Sequence, residues 1–240
     1  MTNAPSQKRS ASIDWNARFH TLAAQAEHPL LKRFYEAGVV GAETPLEHVE
    51  MLAMDVETTG LNAKADGIVS IGLLPFTLKR IRCGEALYWL INPPSELRGE
   101  SVTFHHITHS DILNAPQLPD VLETLLEAMA GKVIVVHYRA IERGFLDQSL
   151  RRHIGEGLQF PVIDTMQLEA RMHRKQRGWI DRLFRRPLLS IRLADSRMRY
   201  NLPQYHAHHA LTDALATAEL LQAQIANHYV PSIAVGELWD

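Results

Sequence analysis

After residue 48 the chain presents three short apolar runs in succession, and only then helical patterns alternating with strands. Met51 to Met54, Ile68 to Leu78 and Ala86 to Ile91 are apolar, the last closed by Asn92-Pro93-Pro94, as strands bounded by turn residues should be. Pro119 to Ala130 follows as a helix stopped by Gly131. Lys132 to His137 is a β-branched strand, Ala140 to His153 a helix and Phe160 to Ile163 a strand. Asp164 is placed to cap the next helix, and helices are expected over Leu188 to Met198 and His209 to Ala226. That order implies an α/β chain with a mixed β-sheet flanked by helices.

Ahead of this core, the first dozen residues are short of apolar side chains and are expected to be disordered. From Asp14 to Ala37, Trp15, Phe19, Leu22, Leu30, Leu31 and Phe34 recur at helical spacing, with Pro29 able to open a second helix. Gly38, Gly41 and Pro45 break the pattern. The expected division is a helical N-terminal extension over 1–47, one main domain over 48–228 and a C-terminal tail over 229–240.

With 240 residues, 46% of them hydrophobic, the chain can bury a sizeable core. Its formal net charge of -2 rules out a globally basic coat. Cys83 is the sole cysteine, which excludes a disulfide framework and a cysteine zinc site and points to a reducing, cytoplasmic setting. No apolar run approaches the ~18 residues of a membrane span, and residues 1–15 lack the apolar centre of a signal peptide. One segment departs from neutrality. Between Arg143 and Arg199 thirteen basic side chains face six acids, an excess that suits a polyanion or forms a solvated face. Within it, Trp179 and Phe184 are candidates for base stacking or for a small local core.

Acids and a histidine recur in three motifs: Asp55-Val56-Glu57-Thr58-Thr59-Gly60-Leu61, His137-Tyr138-Arg139-Ala140-Ile141-Glu142, and His208-His209-Ala210-Leu211-Thr212-Asp213. Positions i and i+2 of a strand share a face, so Asp55 and Glu57 project together. Two adjacent carboxylates repel unless a cation sits between them, and hard oxygen ligands suit Mg²⁺ or Mn²⁺. Otherwise the strand simply leaves the core there with both acids in water. Thr58, Thr59 and Gly60 favour close approach by a nucleotide. Asp213 lies off the apolar stripe Leu211, Leu215, Ala218, Leu221 and Ile225, either to hold a metal or to complement a helix N-terminus. His208, five residues earlier, can abstract a proton near neutrality, with His206 and His209 as alternatives. Together these point to metal-dependent phosphodiester cleavage. Tyr200, Leu202 and Tyr205 are expected to pack near the His208 loop.

The three motifs, in order over roughly residues 48 to 228, resemble the DEDDh 3′–5′ exonucleases, which include the polymerase III epsilon subunit and ribonuclease T. Ile68-Val69-Ser70-Ile71-Gly72 is similar to the family's second strand, and His105-His106-Ile107-Thr108 to its His-Gly-Ile-Thr segment. The resemblance implies a ribonuclease H-like fold. It implies two Mg²⁺ or Mn²⁺ ions, bridged by Asp55, with Glu57 and Asp213 completing one site and Glu142 serving the other. His208 would be the general base, and Thr58, Glu100 and His105 would contact the terminal nucleotide. The implied activity is release of nucleoside 5′-monophosphates from the 3′ end of single-stranded DNA.

The second motif departs from the family's His-Asn-x-x-Phe-Asp. Tyr138 stands at the asparagine position and Glu142 at the aspartate position, so the carboxylate gains a methylene. Asp147 is a weaker substitute. Rival expectations are an exoribonuclease or short-oligonucleotide nuclease, and a module that binds nucleic-acid ends without cutting them. The dozen residues after the last helix are short for the polymerase-binding tail of epsilon subunits. The extension is expected instead to pack on the core or to mediate homo-oligomerisation, without a stable polymerase complex.

Overall fold

The computed structural model describes residues 13–97, 99–175 and 189–240. Its centre is a five-stranded sheet in the order β3-β2-β1-β4-β5. The strands are β1 (Met51–Thr58), β2 (Ile68–Phe76), β3 (Leu87–Leu90), β4 (Val133–Val136) and β5 (Val162–Asp164). β1, β2 and β3 pair antiparallel, while β4 joins β1, and β5 joins β4, in parallel. The sheet is therefore mixed, as the order of apolar runs implies.

Eight of the nine β2 residues are apolar or glycine, and all nine are buried, the signature of a strand covered on both faces. Helix α9 (Ala210–His228) lies along β1, β2 and β4, and α6 (Arg139–Ile154) packs on β1 and on α5 (Leu118–Met129). The side chains of α9 that flank its apolar stripe, Ala216, Thr217 and Leu220, are buried as well. Two short helices, α3 (Gly99–His105) and α4 (His109–Ile112), join β3 to α5. Thr108 and Asp111 form a reciprocal cap on α4.

The N-terminal helices α1 (Trp15–Gln25) and α2 (Pro29–Glu36) share the main apolar core. Asp14 caps α1 by accepting from Ala17 N at 3.1 Å. The Phe19 ring meets Phe34 at 5.6 Å and Tyr35 at 5.3 Å. The Glu156 carboxylate accepts from His28 N at 2.6 Å, anchoring the start of α2. At the other end, residues 231–240 are packed too. Asp240 N donates to Val162 O at 3.0 Å along the edge of β5, and Trp239 is buried. No helix among the described residues is long and apolar enough to cross a membrane.

Two local expectations are corrected. The helix expected from Leu188 begins at Leu193 as α8 (Leu193–Arg199), because the Ile191 carbonyl is taken by His137 Nε2 at 3.0 Å. Tyr200 is not near the His208 loop. It donates to Glu169 Oε1 at 2.7 Å and meets the ring of His228, at the far end of α9. Several described arginines of the basic stretch make contacts within the fold, while Arg152 and Arg192 are exposed. Arg197 binds Glu219, Arg199 binds Glu169, Arg151 binds Asp147, and Arg143 lies over Trp15. Residues 1–12 and 176–188, the latter with Trp179, Phe184, Arg177, Arg182, Arg185 and Arg186, fall outside the described residues.

Candidate active site

Asp55 and Glu57 leave β1 on one face of the sheet, opposite Gly72 and Ser70 of β2 in the antiparallel register. The register slips between Glu57 and Thr58, a bulge of the kind that re-aims side chains at sheet ends. Helix α9 comes down on this face at its first turn. A Cβ on Gly72 would stand 2.5 Å from Ala210 C and Leu211 N, so only glycine lets the helix start there. One turn on, Asp213 reaches the β1 acids. Ligand atoms of Glu57, His208 and Asp213 all lie within 4.8 Å of one another.

Glu142 arrives from the first turn of α6. It is 2% exposed, and its Oε2 has no hydrogen-bond partner among the described residues. Burial pushes the Asp55 carboxyl well above the usual carboxylate range, and the charges of Glu142, Glu57 and Asp213 push it further, in that order. Burial, then Asp213, raises Glu57 to about 8. Glu142 is also raised, first by burial, and Asp213 is raised by burial against the opposing His208 N–H. The extra methylene of glutamate therefore still delivers the second-motif carboxylate to Asp55. Four such acids in one site are costly without cations. Their hard oxygens and the orphaned Glu142 Oε2 fit divalent ions of the Mg²⁺ or Mn²⁺ type.

His208 is exposed, with φ +70°, and its N–H donates to Asp213 Oδ2 at 2.7 Å. Its ring meets Phe104 edge-on at 5.7 Å. Of the alternatives, His209 stacks on Tyr88 at 4.9 Å, turned to the sheet. His105 is buried. Its Nδ1 accepts from Ile107 N at 3.0 Å, and its Nε2 has no partner among the described residues. Thr58 Oγ1 donates to Gly60 O at 2.6 Å within its own turn. Glu100 lies on α3, its side chain outside the described set. Gly60 is required by the Asp66 carboxylate, into which a Cβ would run.

Asp164 acts on Glu142 through its charge, but its oxygens are taken by backbone N–H groups. Its Oδ1 accepts from Met166 N at 3.0 Å and Tyr138 N at 3.1 Å, and its Oδ2 from Arg139 N at 3.1 Å. It thus caps both α7 (Thr165–Lys175) and α6. Asp147 is likewise elsewhere, paired with Arg151 at 3.0 Å. Sequence reasoning overlooked two positions. Gly72 carried a readable signal, since an isolated glycine inside a strand pattern marks close backbone approach. Tyr138 did not: it holds φ +93° and ψ +73° at the N-cap of α6, a left-handed conformation that asparagine tolerates and tyrosine resists.

The family model for the RNase T exonucleases matches residues 52–221. A DNA polymerase III subunit epsilon-like protein of Rhodobacter capsulatus is 30% identical over 179 residues, 74% of this chain and 24% of the relative. The epsilon subunit of Treponema pallidum is 29% identical over 185 residues, covering 76% and 79%. The chain thus spans about a quarter of the first relative and most of the second. Among solved structures, exonuclease X bound to 5′-overhanging duplex DNA aligns with a TM-score of 0.59 at 21% identity, over 78% of this chain and 98% of that one. The nuclease domain of 3′hExo, a DEDDh protein bound to rAMP, aligns with a TM-score of 0.60 at 12% identity, over 75% and 92%. These structures share the ribonuclease H-like fold. With the three motifs falling inside the matched stretch, the chain belongs to the RNase T family of exonucleases.

Proposed function

We propose that the chain removes nucleotides from the 3′ end of single-stranded DNA, releasing nucleoside 5′-monophosphates. The observation that carries this is the quartet of half-buried Asp55, Glu57 and Asp213 with buried Glu142, whose raised carboxyls, and the Glu142 Oε2 without a partner among the described residues, call for cations. Asp55, Glu57 and Asp213 would hold one divalent ion, and Asp55 with Glu142 a second. When bound, such a pair stabilises the charge that develops on the attacking and leaving oxygens of a phosphodiester.

The chain's own residues supply the rest. His208, exposed beside Asp213, takes the proton from the attacking water, a role that suits an imidazole. Thr58, next to Glu57 in the chain, and His105, whose Nε2 has no partner among the described residues, would orient the terminal nucleotide. Phe104, 61% exposed against His208, and Leu61, 87% exposed at the end of the first motif, leave apolar surface open around the site. That suits unpaired bases, which stack on such surface without regard to sequence. A 3′ end separated from its partner strand is therefore the favoured substrate.

The test is mononucleotide release from a 3′-labelled single-stranded DNA and a matched RNA, each with Mg²⁺, Mn²⁺ or EDTA. Metal-dependent release with DNA preferred supports the proposal. Faster release from RNA would reassign the substrate to RNA. No release from folded protein with either ion would refute the catalytic assignment of this quartet.

A further inference from the structure

His208 stands near the end of a ten-residue stretch, 200–209, that has no regular structure. It is exposed and left-handed, a backbone state that a residue with a Cβ resists, so neighbouring contacts must hold it there. The stretch is held by a buried guanidinium. Arg197, in α8, is 4% exposed. Its Nη1 donates to Ala216 O at 2.6 Å, and its Nη2 donates to Pro203 O at 2.8 Å and to Glu219 Oε2 at 2.7 Å. The guanidinium also lies over the Tyr205 ring, 4.7 Å from its centroid. The Tyr205 hydroxyl closes the set by donating to Glu219 Oε1 at 3.0 Å.

One side chain thus ties three segments together: α8, the connecting stretch at Pro203 and Tyr205, and α9 at Ala216 and Glu219. Arginine suits the place because its planar fork offers five donors in fixed directions. A buried guanidinium is costly unless paired, and Glu219 provides the pairing. His208 follows Tyr205 by three residues, a span of at most about 10 Å of chain, so holding Tyr205 limits where the histidine can stand. On its other side the stretch is pinned by the His208 N–H on Asp213 and by the His209 ring on Tyr88.

We propose that Arg197 is a positioning residue for the hydrolysis: through Pro203, Tyr205 and Glu219 it sets the 200–209 stretch so that His208 meets the attacking water. This rests on the histidine-base reading above. Arg197 touches neither substrate nor ion in this role, and its loss should act only through His208.

A double-mutant cycle on single-stranded DNA tests it, with Arg197→Met and His208→Ala made singly and together. Arg197→Met should lower kcat by roughly 10- to 100-fold, the scale on which small misplacements act. KM for DNA and Mn²⁺ affinity measured by calorimetry should stay within about twofold, because only transition-state stabilisation is lost. In the His208→Ala background Arg197→Met should cost nothing more, and Arg197→Lys should recover part of the rate. If Arg197→Met does not fold, Tyr205→Phe and Glu219→Gln each remove one contact and should show smaller losses with the same dependence on His208. Equal fractional losses in both backgrounds, or an unchanged kcat, overturn the proposal. An unchanged kcat in His208→Ala alone would remove the histidine-base reading and this role with it.

Discussion

Asp55 and Gly72 sit opposite one another in the β1–β2 ladder, and the missing side chain of Gly72 is what admits the first turn of α9 to the acids. The third motif is therefore positioned by a residue outside all three motifs. Gly72→Ala would push a methyl to within 2.5 Å of the Ala210–Leu211 backbone. Overpacking of this kind costs typically about 1–3 kcal/mol. Thermal unfolding should report a lower Tm. Metal-dependent nuclease activity, assayed well below that Tm, should fall because Asp213 is displaced.

The Glu142 carboxylate is the largest charge acting on Asp55, so removing it should have opposite effects on stability and on rate. In EDTA, Glu142→Gln should raise Tm, since the amide is neutral without the proton that a buried, raised carboxyl must take up on folding. In Mg²⁺ its kcat should fall by roughly 10²-fold or more, in keeping with the several kcal/mol a catalytic ion supplies. Glu142→Asp should retain much of the activity. Paired measurements of Tm and kcat separate this outcome from simple misfolding.

The raised carboxyls make a prediction about pH. Glu57 is raised to about 8 in the fold from an ordinary value near ~4.3 in the unfolded chain. Between those values the folded, metal-free protein binds more protons than the unfolded chain, so stability is greatest at the acid end and falls as pH rises. His137 acts oppositely below about 6.5, because burial lowers it to about 4 and it must stay neutral. The carboxylate effect is therefore cleanest from pH 6.5 upward. Tm in EDTA should decline from pH 6.5 to 8.5, and Mn²⁺ should reverse the decline, binding more tightly as protons leave. A Tm that rises over this range in EDTA would contradict the quartet as described.

Tyr138 occupies a left-handed N-cap, where a side chain other than glycine or asparagine carries strain of about 1–2 kcal/mol. Tyr138→Asn should stabilise the protein by about 1 kcal/mol, or roughly 2–4 °C in Tm for a chain of this size. The measurement is a thermal melt of the variant beside the parent chain.

Much of the fold was legible because its elements are locally consistent. Three apolar runs gave the antiparallel strands, and the Leu188–Met198 helix was the main misreading. That segment failed because a distant side chain, His137, claims the Ile191 carbonyl, and no local pattern encodes such a bond. The acids of β1 were legible from their i, i+2 spacing. Convergence of Glu142 on Asp55 was visible only through resemblance, since a charge on a helix carries no sign of what it faces. For the basic stretch, composition cannot separate a guanidinium paired with Glu219 or Glu169 from one turned to a polyanion.

The most direct test of the account is the anomalous difference map of crystals soaked in Mn²⁺ with a nucleoside 5′-monophosphate. The account predicts two Mn²⁺ peaks about 3.5–4 Å apart, with Asp55 contacting both, Glu57 and Asp213 on one, and Glu142 on the other. A single peak with Glu142 uncoordinated, or no peak among these acids at saturating Mn²⁺, would contradict it.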